Sequence, residues 1–279
     1  MDYAARAKRM ASVSYNGQCF SIDGRRLWVL GASIQYARVH PSQWAERIAA
    51  ARQAGFNTIE TACPWLVHEP RKGRFHFEKD ADLDLFIKLC AKAGMKVILR
   101  VGPFVGSQFD GGGIPGWLIE MRGVRVREDN ETFLEHVSLY FRRLLAIVSP
   151  HQITSGGPVL LVQAEHAWEC SNDQQGQDYL GEITRFIREN GITIPVTNAN
   201  DLWQDPPGTI STWRGWADLL VHVRQLRSVH ANAPRLVSEF EAAVPGTWGD
   251  EGEAVRSPSK VLAHLAEILA AGAQPIVSP

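Results

Sequence analysis

Short apolar or β-branched segments alternate with longer segments of helical period along almost the whole chain. This alternation is typical of βα units, in which a helix connects each strand to the next strand of a parallel sheet. Eight strand segments with helices between them predict the α/β class and, within it, a (β/α)₈ or TIM barrel. The predicted strands are 27–33, 57–61, 95–101, 158–163, 194–198, 209–213, 235–239 and 274–278, with helices expected from Pro41, Asp82, Asn130, Tyr179 and Ser259.

The length of 279 residues suits one domain of this kind, because barrels of about 250 residues commonly form a single domain. We therefore assign residues 1–279 to one barrel. Residues 14–26 predict a small hairpin under the barrel floor, since they contain Asn-Gly and Asp-Gly turns. The eighth strand is the last segment, and no sequence remains for the last barrel helix. Two explanations stay open: the barrel is unusually short, or the chain is a piece of a longer polypeptide.

The charge balance argues against a polyanionic partner, because 29 Lys plus Arg face 30 Asp plus Glu. No segment approaches the roughly 20 apolar residues of a membrane span, and the first ten residues carry charges where a secretion signal is apolar. We expect no nucleic-acid or membrane partner, and a cytoplasmic location for the chain as given, or a secreted or periplasmic one if it was trimmed. The scattered cysteines contain no CxxC pair, so we expect no metal site.

Nine tryptophans are many for this length, and several lie in predicted loops. Core packing is one explanation for each of them. An indole face also packs well against the C–H face of a sugar ring. The second interpretation predicts that Trp65, Trp168 and Trp248 line a carbohydrate pocket, with Trp213 as a further candidate.

Polar residues at the carboxyl ends of barrel strands are the first candidates for function, because active sites of this fold lie there. The third strand ends in Arg100 and leads to Gln108, and the fourth leads to His166. Asn198 and Glu239 end the fifth and seventh strands. We expect these five side chains to meet at one site, although Asn198 and Asn200 could equally be turn residues.

An ordered set of segments resembles glycoside hydrolase family 35, the family of many β-galactosidases. The segments are GASIQYARVHPSQW, AGFNTIETACPWLVHEPRKGRFHF, GMKVILRVGPF, FDGGGIPGWL, GGPVLLVQAEHAW and VSEF. They occur in the family's order and cover about residues 27–278. The resemblance implies a barrel that hydrolyses β-linked sugars with retention of configuration and without a metal or organic cofactor.

Two carboxylates carry the chemistry that the resemblance implies. Glu239 in VSEF matches the family's nucleophile at the end of strand seven. The acid/base belongs to a fourth-strand motif, Q-x-E-N-E-Y, in which the Asn binds the sugar 2-hydroxyl. The aligned residues here run from Gln163 to Trp168 and put His166 at the Asn and Ala167 at the acid/base position. A methyl group cannot protonate a leaving group.

Three explanations of Ala167 stay open at this point. A catalytic Glu was replaced on purpose, a natural relative has lost hydrolysis and only binds, or another group serves as the acid. Glu165, His166 and Glu169 are the candidates for that last role. We expect Glu165 to lie one layer deeper than Ala167 as a structural partner.

Other positions also depart from the family pattern. The family's sugar-contacting Tyr, Asn and Glu correspond to Ala62, Leu66 and Gln108, and no Gly-Trp follows Glu239. Arg38 and Arg100 end strands one and three, and either cation could keep Glu239 ionised. The sequence therefore predicts a retaining glycoside hydrolase for a β-linked sugar, with a catalytically inactive carbohydrate-binding protein as the alternative. It indicates no oligomeric state.

Overall fold

The computed structural model describes residues 10–106, 108–169, 173–200, 205–243 and 256–278. A three-stranded antiparallel sheet comes first in the chain and precedes the barrel strands. Its strands are β1 (Val13–Tyr15), β2 (Phe20–Ile22) and β3 (Arg25–Leu27). Phe20 is fully buried in the main hydrophobic core, so this small sheet is packed onto the barrel.

The remaining nine strands form one parallel sheet. In chain order they are β4 (Gly31–Ser33), β5 (Thr58–Ala62), β6 (Lys96–Gly102), β7 (Val159–Ala164), β8 (Val196–Asn198), β9 (Thr209–Ser211), β10 (Trp213–Gly215), β11 (Leu236–Glu241) and β12 (Gln274–Ser278). Their order in the sheet is β10, β11, β12, β4, β5, β6, β7, β8, β9.

The sheet nearly closes into a barrel because its two edge strands are neighbours in the chain. Only Thr212 separates β9 from β10, which together correspond to the sixth predicted strand. The Thr212 amide donates to the Asn198 carbonyl (2.9 Å), and its hydroxyl donates to Ser238 Oγ (2.7 Å). Thr212 therefore bridges β8 and β11 across the gap. The predicted (β/α)₈ barrel is confirmed.

Strand one is shorter than the sequence predicts. The amides of Val29 and Leu30 donate to side chains, Gln274 Oε1 at 2.7 Å and Asn57 Oδ1 at 3.0 Å, instead of to a neighbouring strand. Regular pairing then begins at Gly31. A Cβ at Gly31 would lie 2.4 Å from the Ile276 side chain, so β4 and β12 pack this closely only with glycine there.

Eight α-helices complete the described part of the fold. They are α1 (Pro41–Gln53), α2 (Trp65–His68), α3 (Leu83–Lys92), α4 (Gly116–Ile119), α5 (Glu131–Val148), α6 (Asp173–Glu189), α7 (Leu219–Val229) and α8 (Pro258–Ala270), and the 3₁₀ turns lie at Tyr36–Arg38, Lys79–Ala81, Asp110–Gly113, Ser149–His151 and Ile153–Ser155. None of these helices is long and apolar enough to cross a membrane.

Helix α7 was not predicted, and its sequence explains why. The segment LLVHVRQLRSV contains three β-branched valines, and Asp218 before it provides no side-chain cap. Leu219, Val223 and Leu226 nevertheless form one buried face, so packing against the sheet stabilises the helix. The other long helices follow their predicted segments, although α6 begins six residues before Tyr179.

Candidate active site

A pocket of about 280 Å³ lies at the carboxyl ends of the barrel strands. Strands or loops from several regions of the chain contribute to it. Its lining consists of Gln35, Ala62, Arg100, Phe104, Val105, Gly106, Gln108, Phe109, His166, Ala167, Arg214, Glu239 and Glu241.

Arg100 is the buried cation of this pocket. It lies on β6, and its guanidinium contacts three groups with three different nitrogens. Nε lies 3.2 Å from Glu60 Oε1, Nη1 donates to the Val105 carbonyl (2.8 Å), and Nη2 lies 3.7 Å from Glu239 Oε1. Arg100 therefore holds two carboxylates from strands β5 and β11 around one charge.

Glu60 is anchored on its other side by polar groups. Its Oε2 accepts from Ser33 Oγ (2.7 Å) and Gln35 Nε2 (3.3 Å). Burial raises the pKa of Glu60 above its ordinary value, and the charge of Arg100 and the Ser33 hydroxyl offset only part of that rise. Gln35 also accepts from the Ala62 amide (2.8 Å), so this network fixes the rim of strands β4 and β5.

Glu239 is a pocket carboxylate that lies between two buried partners, Arg100 and His166. Its Oε2 lies 2.9 Å from His166 Nε2, opposite the contact with Arg100. Burial would raise the pKa of Glu239, but the charge of Arg100 and the hydrogen bond from His166 outweigh it and lower the pKa to about 2. The group is therefore ionised at neutral pH and can act as a nucleophile.

His166 is buried against Glu239 and is neutral at pH 7. Burial, followed by the charge of Arg100, lowers its pKa to about 4. Gln163 Nε2 contacts His166 Nδ1 at 3.2 Å and can only donate, so the ring proton belongs on Nε2. That proton is directed at the Glu239 carboxylate.

These pKa values predict that acid destabilises the fold. Below pH 6.5 the unfolded chain protonates His166 while the folded chain does not until about pH 4, so the free energy of unfolding falls over that range. Glu239 adds a further loss between about pH 4.5 and 2, because its folded pKa is also lowered.

Urea unfolding of the native protein and the His166→Asn variant at several pH values checks this expectation. The variant should lack a loss of about 1 to 3 kcal/mol between pH 6.5 and 4. Parallel pH profiles of the two proteins would show that His166 is not held neutral by the fold.

The loop after β7 positions Ala167 beside these groups. Glu165 and Ala167 both have left-handed backbone angles, with φ of 53° and 48°, and the Ala167 amide donates to the Ala199 carbonyl (3.1 Å). The chain thus turns sharply after the strand, and simple alternation of side chains no longer applies. Ala167 lines the pocket, whereas Glu165 is fully buried behind it.

Glu165 has no free oxygen for catalysis. Arg127 Nη2 and the His166 amide both donate to its Oε2 at 3.0 Å, and the Tyr179 hydroxyl donates to its Oε1. These partners make it a structural residue of the loop. Glu169, the other carboxylate considered from the sequence, is exposed and lies 3.5 Å from Arg214 Nη2.

The structure brings five predicted site residues together and places three elsewhere. Arg100, Gln108, His166, Ala167 and Glu239 all line the pocket. Trp65, Trp168 and Asn198 are absent from its lining. Trp248 lies outside the described residues.

Both indoles pack between the barrel and its outer helices. Trp65 stacks on Tyr140 of α5 with 4.8 Å between ring centroids, and its Nε1 donates to Glu69 Oε2 (2.7 Å). Trp168 packs on Tyr179 of α6, and its Nε1 donates to the Arg127 carbonyl (2.9 Å). For Trp65 and Trp168 the expectation of a sugar-stacking surface is corrected, because both rings are buried and hydrogen-bonded elsewhere.

Asn198 and Arg38 also serve local contacts. Asn198 Nδ2 donates to Thr209 Oγ1 (2.8 Å) and Asp205 Oδ1 (3.0 Å), which ties β8 to the next strand. Arg38 Nη1 donates to Gln108 Oε1 (3.3 Å) on the pocket rim. Of the two arginines considered from the sequence, only Arg100 pairs with Glu239.

Sequence reasoning missed several pocket residues. Glu241 lies two residues after Glu239 on the same strand, so alternation along β11 could have found it. Gln35, Phe104, Phe109 and Arg214 had no such signal, because long loops and the break at Thr212 decide where they lie.

Among the described residues, no group of three His, Cys, Asp or Glu side chains could hold a metal ion. The arrangement instead offers an ionised nucleophile, a neutral histidine that donates to it, and a buried arginine. An ionised carboxylate at the open end of a barrel is one of the two groups that retaining glycoside hydrolases use, so the arrangement is compatible with that class.

Comparison with known proteins supports that class. The pattern of glycosyl hydrolases family 35 matches residues 19–277. A human relative, β-galactosidase-1-like protein 2, is 31% identical over 95% of this chain and 42% of its own length. β-Galactosidase 11 of Arabidopsis thaliana is 40% identical over 66% of this chain and 22% of its own. The chain belongs to glycosyl hydrolases family 35 and spans less than half the length of these relatives.

Solved structures agree on the fold. An exo-β-1,4-mannosidase from Opitutaceae bacterium strain TAV5 superposes with a TM-score of 0.68 at 17% identity, over 91% of this chain and 52% of the other. A β-galactosidase from Rahnella sp. R3 has the same TM-score at 11% identity, over 90% and 50%. At such identities the likeness concerns the barrel alone.

Proposed function

We propose that this domain acts on β-galactosides or closely related β-glycosides with retention of configuration, that Glu239 is the nucleophile, and that Ala167 stands where the family carries its acid/base. One observation carries the proposal: inside the pocket Glu239 lies 3.7 Å from Arg100 Nη2 and 2.9 Å from His166 Nε2, two groups that lower its pKa. The relatives named β-galactosidase make the galactosides the first substrates to test.

The reaction would proceed in two displacements at the anomeric carbon. A Glu239 oxygen attacks that carbon, and the bond to the leaving oxygen breaks to give a covalent glycosyl-enzyme. Water then attacks the same carbon from the opposite side of the ring and releases Glu239. In retaining enzymes a second carboxyl about 5 to 5.5 Å away protonates the leaving group and deprotonates the water.

In this chain Ala167 stands at the position where the family has that second carboxyl. None of the three alternatives considered from the sequence is well suited to replace it, and Glu169 is exposed and is not among the residues that line the pocket. Glu165 is fully hydrogen-bonded, and His166 donates to the nucleophile itself. We infer that leaving groups in need of protonation depart very slowly, whereas activated ones still react.

The second candidate function is sugar binding without turnover. The methyl group at position 167 favours it, because proton transfer is worth about 10² to 10⁴-fold in rate. It keeps the same pocket and the same ligand class but assigns no covalent step to Glu239.

Azide separates the two functions. An azide anion fits the space of a missing carboxylate and attacks without a general base, so it should accelerate turnover of 2,4-dinitrophenyl β-galactoside. The product should be the β-galactosyl azide, as NMR can show. Tight galactose binding by calorimetry with no azide product and no phenolate release would favour the binding function.

A further inference from the structure

The pocket contains a second cation, Arg214, that has no part in the two displacements at the anomeric carbon. Arg214 lies on β10, just after the break at Thr212, and lines the pocket together with Ala167 and Glu239. Its neighbour in the parallel register on β11 is Glu239 itself. Arg214 therefore projects from the strand next to the nucleophile.

The contacts of Arg214 place its charge near the fourth-strand loop. Its Nη2 lies 3.5 Å from Oε1 of Glu169, two residues after Ala167. The guanidinium charge also makes a small contribution to the lowered pKa values of His166 and Glu239, after the larger effect of Arg100. About a third of the side chain is exposed, so ligand can reach it.

We propose that Arg214 stabilises the negative charge of the departing group, and that the domain is specific for β-glycosides whose leaving oxygen departs as a stable anion, such as aryl glycosides. This inference rests on the proposed function. Where the family has an acid, this pocket would have an open space beside the Arg214 cation.

The step balances without a proton donor. Glu239 Oε forms the bond to the anomeric carbon, and the electron pair of the broken bond stays on the leaving oxygen. The products are the glycosyl-enzyme and an anion that faces the Arg214 guanidinium. Preorganised cations and hydrogen-bond donors of this kind act where charge develops in the transition state. In the second step water attacks, and its proton passes to the solvent.

Glu241 is the competing explanation for the missing acid. It lines the pocket as well, but it lies on the same strand as the nucleophile and pairs with Arg256 at 3.6 Å. An acid/base normally approaches the leaving oxygen from a different strand than the nucleophile. Arg214, by contrast, lines the pocket from β10 and contacts the fourth-strand loop through Glu169.

A series of aryl β-galactosides, from 2,4-dinitrophenyl to phenyl, tests the inference in the native protein and in Arg214→Gln, Arg214→Lys and Glu241→Gln. Arg214→Gln should lower kcat/KM about 10² to 10³-fold and make it fall more steeply as the phenol becomes less acidic. Arg214→Lys keeps the charge and should lose less. The exposed Arg224→Gln is the matched control and should keep the native kcat/KM with every phenol.

Two outcomes would overturn the inference. One is an Arg214→Gln protein with the native kcat/KM and the native dependence on phenol acidity. The other is a steeper dependence in Glu241→Gln alone, which would assign proton donation to that residue. Labelling of Glu239 by 2,4-dinitrophenyl 2-deoxy-2-fluoro-β-galactoside distinguishes these failures from failure of the proposed function, because it requires only the nucleophile.

Discussion

Ala167→Glu should accelerate hydrolysis of unactivated β-galactosides such as lactose by about 10² to 10⁴-fold, the usual value of a general acid/base. The new carboxyl would enter the pocket from the loop after β7, where Ala167 already lies. Ala167 has φ of 48°, and a glutamate carries the same Cβ, so the substitution adds little backbone strain beyond what alanine already bears. Product release from lactose, followed by glucose detection, measures the effect.

The control for this variant is Ala167→Gln, which has the same shape and no titratable proton. It should stay as slow as the native protein on lactose. With 2,4-dinitrophenyl β-galactoside the native protein and the Ala167→Glu variant should differ much less, because that leaving group needs little protonation. An Ala167→Glu protein that binds galactose but hydrolyses no β-glycoside would support the binding function.

Arg100→Met should destabilise the fold by about 3 to 5 kcal/mol, the usual effect of leaving a buried charge without its partner. Arg100 lies between Glu60 and Glu239, so its loss would expose each carboxylate to the other in a buried environment. The pKa of Glu239 should rise, since Arg100 is the strongest of the groups that lower it. Urea unfolding at neutral pH measures the change.

A second substitution checks the reason for that loss. Glu60→Gln in the Arg100→Met background removes one of the two carboxylates and should recover part of the lost stability. The exposed Arg224→Met should change the free energy of unfolding little. If Arg100→Met costs the same stability with and without the Glu60→Gln substitution, the electrostatic explanation is wrong.

The barrel could be predicted because its signals are local and repeated. Alternation of short apolar strands and amphipathic helices, with Gly after several helices, is enough to give the eight βα units. The break of strand six could not be predicted, because it depends on the Thr212 contacts to Asn198 and Ser238 in neighbouring strands.

The site could be predicted only as far as strand ends define it. Arg100 and Glu239 lie on strands, and His166 and Ala167 follow one closely, so their positions carry over from the sequence. Trp65 was misplaced because an indole suits a core and a sugar site equally, and only its packing on Tyr140 decides between them.

Arg214 is a pocket residue that the sequence could not predict. Nothing in its sequence context, WRGW, points to catalysis, and its place in the pocket follows from pairing with β11 beyond the break. A charged residue at a strand end becomes informative only when the register of both strands is known.

The central claim is that Glu239 is a working nucleophile in a pocket without the usual acid/base, and covalent trapping tests it most directly. Incubation with 2,4-dinitrophenyl 2-deoxy-2-fluoro-β-galactoside should release one phenolate per protein and add one fluorogalactosyl group. Peptide mass spectrometry should then locate that group on Glu239, and Glu239→Gln should remain unlabelled. Release of no phenolate, or a label on any other residue, would contradict the assignment.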